Sequence, residues 1–163
     1  MFSKLDDRDI KMITILSTEG RISKSALARR VNLSAAPCWE RLKRLERTGV
    51  VAGYRADVAL DKIAPHIVVF MSAELERHRQ GDFQLFEQAA HRFEEITDCW
   101  AVGGGFDYIL RIVTGNVDSY QRFVDRLLEA NLGLKRYFTY IVTKQVKRAS
   151  APPLELIRSF AKG

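Results

Sequence analysis

Apolar positions recur every three or four residues through the first fifty residues and turn to alternation further on, which divides the chain into a helical head and a mixed remainder. Ile10, Ile13 and Leu16 share one face of a first helix that opens on Asp6, Asp7 and Asp9, where the helix dipole favours acids, and stops before Gly20. Ser23 is the predicted N-cap of a second helix running to Val31, with Leu27 and Val31 one turn apart. Asn32 and Leu33 make a short turn into a third helix between Ser34 and Gly49. Ser34 can cap it, Pro37 fits its first turn, and Gly49 supplies the left-handed residue that ends it.

The third helix separates two stripes. With Leu42 as origin, Cys38 and Leu45 lie within roughly 60°, whereas Lys43, Arg44 and Arg47 fall near about 100°, 200° and 140°. One side can pack and the other can meet phosphates. Two short helices joined by a tight turn match the helix-turn-helix unit, whose second helix enters the major groove. The run Val50–Asp57 is short and rich in β-formers, which predicts a small β-wing with Tyr54 or Arg55 reaching the DNA backbone. Residues 1–57 thus read as a winged helix-turn-helix.

A connector over 58–65 ends at Pro65, and the pattern changes. The sequence predicts a strand at His66–Leu75 and a helix at Asp82–Phe93 with Phe83, Phe86, Ala90 and Phe93 on one face. A strand at Ile96–Val102, a turn at Gly103–Asp107 and a strand at Tyr108–Thr114 follow. A helix at Val117–Ala130 and a strand near Tyr137–Val146 complete the series. This β-α-β-β-α-β order is ferredoxin-like and spans 66–148, leaving a tail at 149–163. The fold class is α+β. Helices on one face of such a sheet leave the other in need of cover, and in the first strand Val69, Met71 and Ala73 alternate with Phe70, Ser72 and Glu74. Homodimerisation would supply the cover and would suit DNA reading, because a two-fold dimer addresses half-sites about 34 Å apart or a multiple of that.

Charge sharpens the division. The 163-residue chain carries a net charge of +6, and residues 1–57 hold 12 Lys/Arg against 7 Asp/Glu, while the rest holds 14 against 13. The basic excess lies in the head, as a polyanion-binding unit requires. No apolar run is long enough to span a membrane, and the first residues lead into a helix instead of a secretion signal, so the expected location is the cytoplasm with no membrane partner.

Catalytic and metal-binding chemistry finds little support. Cys38 and Cys99 are too few for a disulfide framework and lack metal-ligand spacing, so both are expected to fill small buried spaces. His66, His78 and His91 are scattered, and Gly103-Gly-Gly105 lacks the Gly-Lys-Ser/Thr of a phosphate-cradling loop. An enzyme, a metal and a cofactor are not expected. By itself the glycine run reads as a flexible hairpin turn.

The segments Leu5-Asp-Asp-Arg-Asp-Ile10, Gly20-Arg-Ile-Ser23, Pro37-Cys-Trp-Glu-Arg-Leu-Lys-Arg-Leu-Glu46 and Gly104-Gly-Phe-Asp-Tyr108 together closely resemble the leucine-responsive/asparagine-operon (Lrp/AsnC) family of transcriptional regulators, over about residues 4–148. The resemblance implies a DNA-binding head joined to an amino-acid-sensing ferredoxin-like domain, forming dimers that assemble into tetramers, octamers or larger discs. It places a small effector, an amino acid or its metabolite, between subunits near the turn joining the second and third strands. By position the effector residues are Gly104, Phe106, Asp107, Tyr108, Val117, Thr139, Tyr140, Ile141 and Val142. Glycine amides would hold a carboxylate and Asp107 an α-amino group.

Two departures bear on specificity. Many relatives have Pro-Thr where this chain has Ala35-Ala36, so a threonine hydroxyl at the DNA is replaced by a methyl able to meet thymine. Relatives also commonly have an acid where Gly105 stands, which changes the effector that can be held. The tail, Lys147 to Phe160, extends past the usual end, with a short amphipathic helix expected after Pro153 that either caps the dimer or stays loose.

The residues expected at double-stranded DNA are Lys24, Ser34, Ala36, Arg41, Lys43, Arg44, Arg47, Tyr54 and Arg55, with Arg44 best placed to read a guanine edge. Trp39 is expected to pack within the helix pair. The function read from the chain is sequence-specific transcriptional regulation controlled by an amino acid or related metabolite, directed at amino-acid or compatible-solute metabolism. The competing readings are a DNA-wrapping architectural protein and, further off, a small ferredoxin-like enzyme.

Overall fold

A computed structural model describes residues 5–149 and 151–160; the expectation about the extreme N-terminus rests largely on residues 1–4, which lie outside the described residues. The chain forms two compact units, one of residues 1–58 with 147–163 and the other of residues 59–146. The tail, expected as a separate segment, therefore belongs to the first unit.

In the first unit, α1 spans Asp7–Thr18, α2 spans Lys24–Arg30 and α3 spans Ala35–Arg47. Asp6 caps α1 by accepting from the Asp9 N–H at 2.9 Å while Asp9 accepts from the Asp6 N–H at 3.0 Å, a reciprocal box that satisfies two otherwise orphaned donors. Ser23 caps α2 through the Ala26 N–H. Asn32 takes a φ of +54° in the turn, a conformation that Asn tolerates better than most residues, and Gly49 ends α3 at a φ of +74°. Met12, Ile13 and Ile15 of α1 pack with Leu27, Ala28 and Val31 and with Cys38, Leu42 and Leu45. The apolar stripe predicted on α3 is the stripe that is buried.

Two expectations for this unit need correction. Ser34 occupies the N-cap position of α3, but its side chain makes no capping hydrogen bond, so its hydroxyl stays exposed. The expected β-wing carries no strand: residues 50–58 form no ladder, and the segment is tied back by the Val51 N–H, which donates to the Leu45 carbonyl at 3.1 Å.

The second unit opens with a short 3-10 turn at Leu60–Lys62 and continues with β1 (Ile67–Leu75), α4 (Gln80–Ala90), β2 (Ile96–Ala101), β3 (Tyr108–Thr114), α5 (Val117–Glu129) and β4 (Leu134–Ile141). Its sheet is antiparallel throughout, in the order β2-β3-β1-β4, as the ferredoxin-like pattern requires. Pairing with β1 moves β4 upstream of the expected Tyr137–Val146: Leu134 pairs with Leu75, Ile141 pairs with Val69, and the ladder then runs out. α4 likewise ends before Phe93, which packs on the core from the following turn.

Val69, Met71, Ala73 and Leu75 of β1 lie at 0–1% exposure beneath Phe86 of α4 and Phe123 and Leu127 of α5, so the predicted alternation gives the core face. The opposite face carries Phe70, Ser72 and Ile109, with Trp100 and Phe138 in the same row as Ser72 and Tyr140 beside Phe70. Trp100, Phe138 and Tyr140 are about half exposed, at 47%, 45% and 55%. The tail helix α6 spans Leu154–Phe160 and packs on α1, with Leu154 against the first unit's core and Arg158 paired to Asp7 at 2.5 Å.

Candidate DNA interface and effector site

Helix α3 presents Ala36, Glu40, Lys43 and Arg47 on the side away from the buried Cys38, Leu42 and Leu45, and Ser34 and Ala35 are exposed at its start. Burial pushes the Cys38 thiol's pKa up, in keeping with a small packing role. Trp39 is half-buried against the core, and Lys24 of α2 stands over its ring with Nζ 3.4 Å from the centroid, while Lys43 Nζ lies at 5.0 Å. This cation–π seat holds two of the expected DNA contacts on one flank of the recognition helix. Arg47 and Arg55 are exposed.

Arg41 and Arg44, both expected at DNA, are engaged within the DNA-binding unit. Both turn toward the start of α1, where Arg41 Nη1 donates to Asp6 at 2.6 Å and to Asp9 at 2.9 Å, and Arg44 Nη2 donates to Asp9 at 2.6 Å. Asp9 is only 1% exposed, so its charge is compensated by these guanidinia. The capping bond from the Asp9 N–H, followed by that from Arg41, holds the Asp6 carboxyl below its ordinary pKa. A wheel gives angles around one helix but not which flank a second helix occupies.

Tyr54 is also engaged within the chain: its hydroxyl donates to Glu46 of α3 at 2.8 Å. Desolvation and this carboxylate push the phenol pKa up to about 12. Tyr54 thus ties the segment after α3 back onto that helix instead of extending away from it.

The glycine turn joins β2 to β3, and Gly104 takes a φ of +141°, a conformation that side chains rarely adopt. Among the described residues, the amides of Gly103, Gly104 and Gly105 donate to no acceptor in the chain. Asp107 holds the turn in place. Its backbone N–H donates to Ala73, its carbonyl accepts from Val102, and its carboxylate accepts from the Leu75 N–H at 2.8 Å and meets His78 Nε2 at 3.1–3.2 Å. The carboxylate expected to hold an α-amino group is therefore already partnered on two sides, and His78 was not singled out as its neighbour by the sequence.

The remaining effector positions separate by face. Phe106 meets Phe138 edge-on at 5.7 Å on the exposed sheet face, where the register also puts Tyr140 and Val142. Thr139 and Ile141 lie on the helix side, and the Thr139 hydroxyl shares a 2.6 Å hydrogen bond with Tyr120. Val117 is exposed at the start of α5. The Tyr108 side chain is buried within the chain: at 2% exposure it stacks on Phe86 and donates to Glu87 at 2.9 Å. Desolvation foremost, aided by Glu87, raises its phenol pKa far above the ordinary value.

Cys99 also departs from expectation. It is exposed on the edge strand β2, where its thiol pKa is raised by desolvation and by nearby Glu87. Among the described residues no group of His, Cys, Asp or Glu is arranged to hold a metal ion, and no helix is long and apolar enough to cross a membrane.

Comparison with known proteins covers both units. A family model described as the Lrp/AsnC ligand binding domain matches residues 68–152, and one described as winged helix-turn-helix DNA-binding matches residues 5–52. The chain is 48% identical over 148 residues to the transcriptional regulatory protein DoeX of Halomonas elongata, covering 91% of this chain and 94% of that protein. It is 34% identical over 146 residues to the leucine-responsive regulatory protein of Escherichia coli, covering 90% and 89%. A transcriptional regulator of Neisseria meningitidis solved as an L-Met complex superposes with a TM-score of 0.88 at 28% identity, covering 94% of this chain and 99% of that one.

Proposed function

Because the chain belongs to the Lrp/AsnC family of transcriptional regulators, a DNA-binding head on a ligand-binding domain and not an enzyme, we propose which surfaces carry each task and what the effector is. Helix α3 enters the major groove, with Ser34, Ala36, Lys43 and Arg47 facing DNA, Lys24 flanking them on α2, and Arg55 near the backbone. Arg44 reads a base edge, and Arg41 and Tyr54 act by holding α3 and its following segment. The observation that carries this reading is the exposure of Ala36, Lys43 and Arg47 on the side of α3 away from its buried stripe.

The effector is an amino acid or a closely related metabolite, seated at the Gly103–Gly105 turn between copies of the chain. Free amide donors at the turn suit a carboxylate, and Phe106, Phe138 and Tyr140 offer an apolar wall beside it. A neighbour solved with L-methionine makes this class the first to test. The regulated genes are those of amino-acid or compatible-solute metabolism, and the protein works in the cytoplasm.

Footprinting on the DNA flanking the chain's own gene, repeated with single amino acids, tests the proposal. A limited set of phased half-sites whose pattern changes with one metabolite is expected. Protection that spreads along the DNA and ignores every metabolite would favour an architectural role instead.

A further inference from the structure

Asp9 is the most deeply buried charge among the described residues of the DNA-binding unit, and its two oxygens divide between Arg41 and Arg44 of the recognition helix. Oδ1 takes Arg41, while Oδ2 takes Arg44 together with the Asp6 N–H. Arg44 gives up only Nη2 to this contact. Its side chain remains 41% exposed, and among the described residues Nη1 and Nε meet no acceptor. A guanidinium has five N–H groups in a fixed planar fork, so pinning one corner orients the rest.

Resting on the DNA-binding reading above, we propose that Asp9 is a positioning residue for base recognition. It holds Arg44 by one corner so that the free edge of the guanidinium reads the major groove, and it withholds that charge from the phosphates. Two consequences separate this role from a clamp between helices. An arginine already fixed before binding loses little side-chain freedom on docking, which favours the matched base over loose phosphate contacts. Two carboxylates set against two guanidinia leave the non-specific attraction to other exposed cations of the unit, among them Lys24, Lys43, Arg47 and Arg55.

The test uses the full chain. Duplexes preferred by the wild type are selected from a randomised pool, and binding to a selected duplex and to a mixed-sequence duplex of equal length is followed across a salt series, with thermal unfolding alongside. Asp9→Asn frees Arg44, so its preference for the selected duplex is expected to fall roughly tenfold, the scale of one good base contact. Its salt dependence on mixed DNA should steepen by about one unit of slope, the signature of one further phosphate contact. Arg44→Lys keeps the charge and loses the fork, so preference should fall with little change of slope.

An Asp9→Asn protein that unfolds cooperatively yet keeps both preference and slope would overturn the proposal, as would an Arg44→Lys protein that keeps its preference. If Asp9→Asn does not fold, Asp9→Glu decides, because it keeps the charge and displaces it by one methylene: lost preference at unchanged slope supports the role, and retained preference overturns it. A wild-type protein that enriches no duplex from the pool would instead defeat the DNA-binding reading itself.

Discussion

The Asp107 carboxylate accepts a hydrogen bond from the backbone N–H of Leu75 at 2.8 Å, which fastens the turn before β3 to the last residue of β1. The side chain is 17% exposed, so the bond is largely shielded from water. Asp107→Ala leaves the Leu75 amide without that acceptor and should destabilise the second unit by about 2 kcal/mol, the scale of a lost hydrogen bond to a charged group. Asp107→Asn, which keeps an acceptor oxygen, should lose less. Urea unfolding of the two variants checks the order, and an Asp107→Ala protein as stable as wild type would remove Asp107 from this structural role.

That bond also marks where the sequence stopped being legible. Periodicity, N-caps and turn residues placed all three helices of the head and the β-α-β-β-α-β order, because these signals are local and the core positions they mark, such as Leu27, Leu42 and Met71, are buried. Strand ends were less legible, since β4 begins where β1 offers a partner and not where its own pattern becomes apolar. Partnering between distant polar groups left no local signal. Asp9 and Arg44 are 35 residues apart, and Asp107 and Leu75 are 32 apart, yet these pairs decide which candidate side chains stand free. The exposed stripe of α3 was readable; the inward turn of Arg41 and Arg44 was not.

Alkaline pH should loosen the segment after α3. The Tyr54 phenol ionises near 12 in the folded protein against an ordinary 10.0, so the fold favours the neutral form. For a group raised in this way, the stabilisation is complete below the unfolded pKa and is lost as pH rises through the folded one. The wild type should therefore lose stability between about pH 10 and about pH 12 relative to Tyr54→Phe, which lacks the titrating hydroxyl. Parallel thermal melts across this range test the difference; identical pH dependence in the two proteins would show that the fold does not hold the Tyr54 phenol neutral.

Self-association should depend on the open face of the sheet. Trp100, Phe138 and Tyr140 lie there half exposed, and the buried Ser72 hydroxyl in the same row has no hydrogen-bond partner. Phe138→Asp puts a charge into this patch at little cost to the single chain. A centrally packed aromatic contributes about 2 kcal/mol per copy, or roughly a thousandfold in the dissociation constant of a two-fold dimer. Sedimentation should show the variant shifted to smaller species with unchanged circular dichroism. An unaltered oligomer would place the interface elsewhere.

The tail is expected to matter to the DNA-binding unit and not to the sheet. The chain leaves the second unit at Val146, after which Arg148 pairs with Asp57, Leu154 packs on the core of the first unit, and Arg158 pairs with Asp7 on α1. Arg158 is 22% exposed and sits beside Glu155, so its ion pair is better shielded than an ordinary surface bridge, yet Asp7 is 86% exposed and limits the gain. Most of the stabilisation should then come from Leu154, about 1–2 kcal/mol for a half-buried leucine truncated to alanine. Ending the chain after Val146 should speed amide exchange in α1 and leave exchange in β1 and β3 as it was. Asp7→Arg alone should do part of the same, and Asp7→Arg combined with Arg158→Asp should restore protection if the pair acts as drawn. Equal exchange in α1 with and without the tail would show that α6 rests on α1 without supporting it.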